Sequence, residues 1–214
     1  MRITRYGHSC LLVETARARV LLDPGAFSSG WEELTGLDAV LLTHQHPDHV
    51  DVEKLPQLLE SDDGAALHAE PETAASLRGA GIEAVALRAG SSLVLGDLTV
   101  EAVGGEHALI HPDVPRVGNV GLLLRAEGEP TVFHPGDSYA TVPAGVDVLA
   151  LPLSAPWAAS REMVDFVRAV RPATGFAIHD ALLTDAGRGL YAGQAEDLGG
   201  LALRPLEHGV PADF

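Results

Sequence analysis

The sequence predicts an α/β protein made of two β-sheets packed face to face, with helices on the outside. Three observations carry this reading. Short runs rich in apolar residues recur through both halves of the chain, and in each half the strand-like runs are followed by helical stretches. At 214 residues with 46% apolar content, the chain suits one domain, residues 1–214, with a real hydrophobic core. No low-complexity tract, Ser/Gly linker or sequence repeat divides it.

The elements follow in order. ITRY, CLLVE, RVLLD and AVLLT read as four short strands within the first 45 residues, punctuated by Gly7, Pro24 and Gly25. Val52 to Leu59 reads as a short helix with Asp51 as its N-cap. Pro71 to Ala80 reads as another, with Pro71 in the first turn and Gly81 at the exit. Strands are expected at Ala84–Leu87, Ser92–Leu95 and Leu98–Val103. Asn119–Ala126 and Thr131–Phe133 should flank the turn Glu127-Gly128-Glu129-Pro130, and Val148–Leu151 reads as a buried strand. Ser160 to Val170 is the clearest amphipathic helix, because Met163, Phe166, Val167 and Val170 fall at i, i+3, i+4 and i+7. Gly175–His179 is the last expected strand.

Charge narrows the function classes. Fourteen Lys and Arg against 30 Asp and Glu give a net charge of −16. That field repels phosphate backbones and anionic lipid, so nucleic acid and membrane surfaces are disfavoured and a small-molecule substrate is expected. No apolar run approaches the roughly 20 residues needed to span a bilayer, and MRITRYGHSC lacks a long apolar stretch of the signal-peptide kind. The single cysteine, Cys10, can form no intrachain disulfide and alternates with apolar neighbours as a core residue would. A cytoplasmic protein is expected, and self-association is left open.

The chemistry concentrates in THQHPDHV, residues 43–50. If the strand direction continues, His44 and His46 differ by two residues and point the same way, so two imidazoles can converge on one cation. Pro47 ends the extended stretch. Asp48 and His49 then turn away from that direction and suit a second cation. Imidazole and carboxylate are ligands for zinc and other first-row metals. The rest of the chain offers three more donors where strands meet loops: His107 after VGGE, Asp137 in FHPGDS and His179 in FAIHD. Asp137 is the choice for a carboxylate that bridges two cations.

The ordered set resembles the metallo-β-lactamase superfamily: an Asp ending an early strand (Asp23 in LLDP), His-x-His-x-Asp-His, a lone His, a lone Asp and a final His. The match covers about residues 3–180. It implies a four-layer αββα sandwich and a metallohydrolase. By this resemblance His44, His46 and His107 hold the first metal, Asp48, His49 and His179 the second, and Asp137 bridges. Asp23 would orient a ligand histidine from behind. YGHSCLLVE with LLDP, PTVFHPGDS, and VDFVRAVRPATGFAIHD are most similar to the ascorbate-6-phosphate lactonase-like branch. The bridging Asp137 argues against antibiotic hydrolysis. His46 stands where flavodiiron relatives carry Glu. The 41 residues between Asp137 and His179 leave no room for the large inserted domain of RNA-processing relatives.

The expected function is a dinuclear hydrolase. Two divalent ions, zinc first and manganese or iron as alternatives, would share a bridging hydroxide that attacks a small ester, lactone or phosphodiester. Asp48, Asp137 and Asp23 are the acidic residues assigned to catalysis. Two other classes compete: a mononuclear iron dioxygenase acting on a sulfur compound, and a non-catalytic metal-binding protein on the same fold. His8 is placed by the resemblance near the site, behind a ligand or against substrate. Arg116 is a candidate partner for an anionic substrate group. His134 is expected on a strand or behind the ligands, and His68, His111 and His208 on the surface or in loops. Trp31 and Trp157 are expected in loops, lining a pocket or packed against the sandwich.

Overall fold

The structure, a computed structural model, describes residues 1–61 and 64–214. The first half builds strands β1 (Arg2–Arg5), β2 (Leu11–Glu14), β3 (Arg19–Leu22) and β4 (Ala39–Leu42), helix α1 (Leu55–Ser61), β5 (Ala66–Ala69), helix α2 (Pro71–Gly79) and β6 (Val85–Ala86). The second half builds β7 (Ser92–Leu95), β8 (Leu98–Glu106), β9 (Gly118–Arg125), β10 (Val132–His134), β11 (Val148–Pro152), helix α3 (Ser160–Val170), β12 (Thr174–Ile178), helix α4 (Asp185–Asp197) and β13 (Pro211–Asp213). Among the described residues these form two sheets, in the orders β13-β1-β2-β3-β4-β5-β6 and β12-β11-β10-β9-β8-β7. The expected sandwich with outer helices is what the chain forms.

The period-2 pattern explains the layers. In β2, Leu11 and Val13 face the space between the sheets while Leu12 faces outward. In β4, Ala39 and Leu41 face in while Val40 and Leu42 face out. The second sheet repeats the rule, with Leu122 and Leu124 inward and Leu123 outward, and Val148 and Ala150 inward and Leu149 and Leu151 outward. Both faces are covered, so these strands read as near-continuous apolar runs rather than as alternations. Leu55 and Leu58 of α1 and Ala74 and Leu77 of α2 cover the first sheet. Met163, Phe166 and Val167 of α3, with Ala195 of α4, cover the second.

Several expectations are corrected. The first helix begins at Leu55 rather than Val52, because Pro56 has no N–H to bond the Val52 carbonyl. Asp51 instead caps the preceding turn, accepting from the N–H groups of Glu53 and Lys54. β8, expected over Leu98–Val103, runs on through Gly104 and Gly105 to Glu106. His68 lies half-buried on β5 rather than in a loop. Of the two places expected for Trp31, the structure shows the packed one: it is wholly buried under α1 and α2. Three elements carry no sequence expectation: β5, α4 and β13. Among the described residues no helix is long and apolar enough to cross a membrane.

Phe176 is fully buried between the sheets, on the strand that leads to His179. Phe176→Ala should cost about 3–5 kcal/mol of unfolding free energy, read from a shift of the denaturation midpoint at constant slope. A loss below about 1 kcal/mol would mean that the interlayer collapses around the gap and that this packing does not hold the strand in place.

Candidate metal centre

The side chains singled out in the sequence gather where strands from both sheets end. Asp23 follows β3, and His44, His46, Asp48 and His49 follow β4. His107 follows β8, Asp137 follows β10 and His179 follows β12. Parallel pairing of β3 with β4, in the register Leu22↔Leu41, sets Asp23 beside Thr43. After His46 the chain turns sharply, with the N–H groups of His49 and Val50 both donating to the His46 carbonyl. Gly25 permits that turn, since a Cβ there would fall 1.9 Å from the Asp48 carbonyl oxygen.

Two groups have the composition and closeness to hold a cation. One is His44, His46, His107 and Asp137, and the other is His8, Asp48, His49 and His179; within each, the donor atoms lie within 4.8 Å of one another. Asp137 touches both groups. Its Oδ1 lies 3.1 Å from His49 Nε2, and its Oδ2 lies 3.4 Å from His107 Nε2 and 3.1 Å from His179 Nε2. That is the position a bridging carboxylate would need.

The hydrogen bonds on the far side of each ring set the tautomers. His49 Nδ1–H donates to Asp23 Oδ2 at 2.7 Å. His107 Nδ1–H donates to the Ala108 carbonyl at 2.6 Å, and His179 Nδ1–H to the Ser154 carbonyl at 2.8 Å. Thr43 Oγ1 donates to Asp23 Oδ2 and is left to accept from His44 Nδ1–H at 3.0 Å. Four rings therefore turn an Nε2 lone pair inward. Those four Nε2 atoms are buried and have no hydrogen-bond partner, and neither has Asp137 Oδ1. Buried polar atoms without partners are rare and costly. Five of them aimed at one place fit divalent cations.

His8 differs. Its Nδ1 accepts from the Ala181 N–H at 3.4 Å, so its Nε2 carries the proton and donates to Asp48 Oδ2 at 3.1 Å. By distance it belongs to the second group, but by tautomer it stands behind Asp48 and steadies it. Arg116 is turned to the protein itself: Nε donates to the His107 carbonyl at 2.5 Å, and Nη1 pairs with Glu106 at 2.8 Å.

Of the residues that hold the donors, the sequence pointed to His134, expected on a strand or behind the ligands, and to Trp157 as a loop residue, but not to Asn119 or Gly136. Asn119 is buried and accepts the Asp137 N–H at 2.9 Å while donating to the Pro135 carbonyl. Gly136, at φ +60°, lies so close that a Cβ there would sit 2.2 Å from the Asn119 Oδ1. Trp157 Nε1 donates to Asp137 Oδ2 at 2.8 Å. His134 Nε2–H donates to the Ser9 carbonyl, and its Nδ1 accepts from Gly136, tying the loop of His8 to the loop of Asp137.

The electrostatics favour positive charge among the carboxylates. Burial works against ionising Asp137, but His49, His107 and His179 hold its pKa well below the usual range. Asp48 is likewise lowered, with the neighbouring imidazoles of His179 and His8 outweighing burial. Burial opposes charge on His49 and His179 too. Asp137 and Asp23 nonetheless raise His49 well above its ordinary value, and Asp137 and Asp48 raise His179 to about 9. His44 and His46 move down, through burial and neighbouring imidazoles.

Comparisons with known proteins show the family. A family model described as the Beta-lactamase superfamily domain matches residues 2–179. The chain is 47% identical to protein Rv0786c of Mycobacterium tuberculosis over 92% of each chain. It is 37% identical to a UPF0173 metal-dependent hydrolase of Xanthobacter autotrophicus, over 64% of this chain and 62% of that one. Its fold superposes on the metallo-beta-lactamase fold protein YhfI of Bacillus subtilis with a TM-score of 0.79, covering 100% of this chain and 98% of that one at 16% identity.

Two outcomes follow from this geometry. Asp23→Asn keeps shape but sets an amide N–H₂ against one of the donors that Asp23 now accepts. Metal affinity, measured by competition with a chromophoric chelator, should fall by about 10–100-fold. Metal uptake should also release protons at pH 7, because a group raised to about 9 is protonated there until a cation displaces the proton. Affinity should therefore rise as pH approaches 9, and calorimetry in buffers of different ionisation heat should return a positive proton release. Uptake without release would show that His179 is not displaced.

Proposed function

The chain belongs to the β-lactamase superfamily and is a metal-dependent hydrolase, and from that premise we propose that it is a dinuclear enzyme acting on a small ester, lactone or phosphodiester. The observation that carries the proposal is the inward set of four unpartnered Nε2 atoms around Asp137. His44, His46 and His107 would hold one divalent ion and Asp48, His49 and His179 the other, with Asp137 between. Zinc suits these donors first, with manganese and iron as alternatives. The pair would supply a water acidic enough to attack at neutral pH and would polarise the electrophilic centre.

The chain's own residues do the rest. Half-buried His46 and Asp48 form the open side, where a substrate can approach; the other donors are buried. Asp23, Thr43 and the carbonyls of Ala108 and Ser154 keep the imidazoles in the tautomer that offers Nε2. Trp157 fixes one oxygen of Asp137 and closes that flank to solvent. No Ser–His–Asp triad is required. The alternative of a single-iron oxygenase is less favoured, because Asp48, His49 and His179, with Asp137 within reach, make a second donor set beside the first. The acidic charge supports a small-molecule substrate, and the lone, buried, unpaired Cys10 supports a reducing, cytoplasmic setting.

Asp137→Ala should bind fewer than two metals per chain by elemental mass spectrometry. It should lose at least about a hundredfold in kcat on activated esters or lactones. Two bound ions with an undiminished rate would overturn the dinuclear reading, and a single tightly held iron in wild-type protein would move the oxygenase to the front.

A further inference from the structure

Beside the donor cluster lies a cleft of about 620 Å³. Its wall is built from the neighbours of the donors. Of the residues in its wall, Ala108 follows His107 and donates its N–H to the Asp137 carbonyl, Ser138 follows Asp137, and Trp157 bonds the Asp137 carboxylate. We propose that this cleft seats a neutral, apolar, ring-sized portion of the substrate, which makes the substrate a neutral ester or lactone rather than a phosphorylated one. The inference rests on the hydrolase reading above and narrows it.

The floor is aromatic and its polar handles are already used. Tyr139 stacks on Phe166 with ring centres 5.0 Å apart and a 28° angle, and meets the edge of Trp157 at 4.8 Å. The Tyr139 hydroxyl donates to the Pro152 carbonyl at 2.6 Å, and the Trp157 N–H is spent on Asp137. What these rings offer a ligand is their hydrocarbon surface. Leu109 and Val142, 54% and 46% exposed, extend that surface towards the mouth. A volume of this order matches pockets that enclose a small organic molecule.

The charges point the same way. Arg116 is the one cation in the lining, and it is already held by Glu106 and the His107 carbonyl. Across from it, α3 presents Glu162 and Asp165. A phosphate there would meet two carboxylates and one neutralised guanidinium, inside a chain of net charge −16. Recognition of a phosphoryl group calls for free guanidinium or ammonium groups or for backbone N–H groups aimed at it.

The test uses zinc-loaded protein and three lactones: dihydrocoumarin (ring-fused and neutral), γ-butyrolactone (small and neutral) and 6-phosphogluconolactone (anionic). Aryl lactones are intrinsically more reactive, so the readout is how the dihydrocoumarin to γ-butyrolactone ratio of kcat/KM changes when the cleft is filled. Ala169→Phe, and separately Val142→Phe on a loop, should lower that ratio at least about tenfold. In wild-type protein the phosphorylated lactone should be the poorest of the three. Binding is read independently of turnover with 2-tetralone, the non-hydrolysable ketone of dihydrocoumarin's shape. It should change tryptophan fluorescence saturably in wild type and far less in either variant. Trp31 is buried under the opposite helices, so the signal belongs to Trp157. An unchanged ratio with no tetralone response, or a preference for the phosphorylated lactone, would overturn the proposal. Tetralone binding lost in the variants, with no lactone turned over by wild type, would overturn the lactone part of the proposed function and leave the cleft's apolar ligand class standing.

Discussion

Everything at this end of the sandwich answers to the burial of one carboxylate. Asp137 is ionised and almost wholly enclosed, which is costly without compensating charge and hydrogen bonds. Its compensation comes from both sheets: His44 and His49 from the first, His107 and His179 from the second, and Trp157 from the loop before α3. The two sheets must therefore meet in one relative position. The apolar interlayer that joins Leu11, Leu22 and Leu41 to Val120, Leu122 and Phe176 supplies that position. The main chain adds a direct tie, since the Val120 N–H donates to the Thr43 carbonyl at 3.0 Å. Packing that would otherwise serve only stability also sets distances at the centre.

Backbone strain is concentrated in the same place. Among the described residues, four other than glycine have positive φ, and three of them, His8, Asp23 and His179, belong to the centre. The fourth, Arg171, ends α3 in the left-handed conformation common at helix termini. A left-handed conformation costs an L-residue roughly 1–2 kcal/mol, so it persists only where the surroundings impose it. They do here: the His179 N–H donates to the His8 carbonyl at 3.1 Å, and the Asp23 N–H to the Leu41 carbonyl at 3.0 Å. Glycine would relieve the strain and remove the side chain that the position exists to hold.

Much of the fold was legible because both sheets bury both faces, which writes apolar runs such as AVLL and VLAL plainly into the sequence. α3 was legible to the residue, with five of its eleven side chains buried on one face. α4 was not. It carries Gly187, Gly189 and Gly193, buries only Ala195 fully, and gains its helical state from packing on α3 rather than from its own pattern. β13 contains Pro211 and forms because β1 offers it an edge. At the centre, histidine and aspartate could be noticed because metal-ligand residue types in a tight motif are uncommon. Asn119 and Thr43 could not, because nothing about their type or spacing separates them from ordinary loop and strand residues, and Trp157 could be noticed as a loop aromatic but not as a partner of Asp137. The narrower likeness to the ascorbate-6-phosphate lactonase-like branch remains an expectation of the sequence, and the acidic rim of the cleft does not favour a phosphorylated ligand there.

His8 shows why closeness alone does not assign a ligand. Its ring centre is 4.0 Å from that of His179, and it sits among the donors of the second group. A rule based on distance would make it a ligand. Yet the four inward rings each donate from Nδ1, to a carboxylate, a hydroxyl or a carbonyl, whereas His8 accepts at Nδ1 and donates from Nε2. With Nδ1 held as an acceptor of the Ala181 N–H, the proton of neutral His8 stays on Nε2 and serves Asp48, whereas the four inward rings keep their proton on Nδ1 when Nε2 is given to a cation. The centre thus repeats one device with the roles exchanged: carboxylate Asp23 orients imidazole His49, and imidazole His8 orients carboxylate Asp48. Both Asp23 and His8 stand in left-handed backbone next to a strand end, each turned back on a donor that the HQHPDH turn delivers. The turn supplies the donor types, and two residues far from it in sequence fix which atoms of those donors face inward.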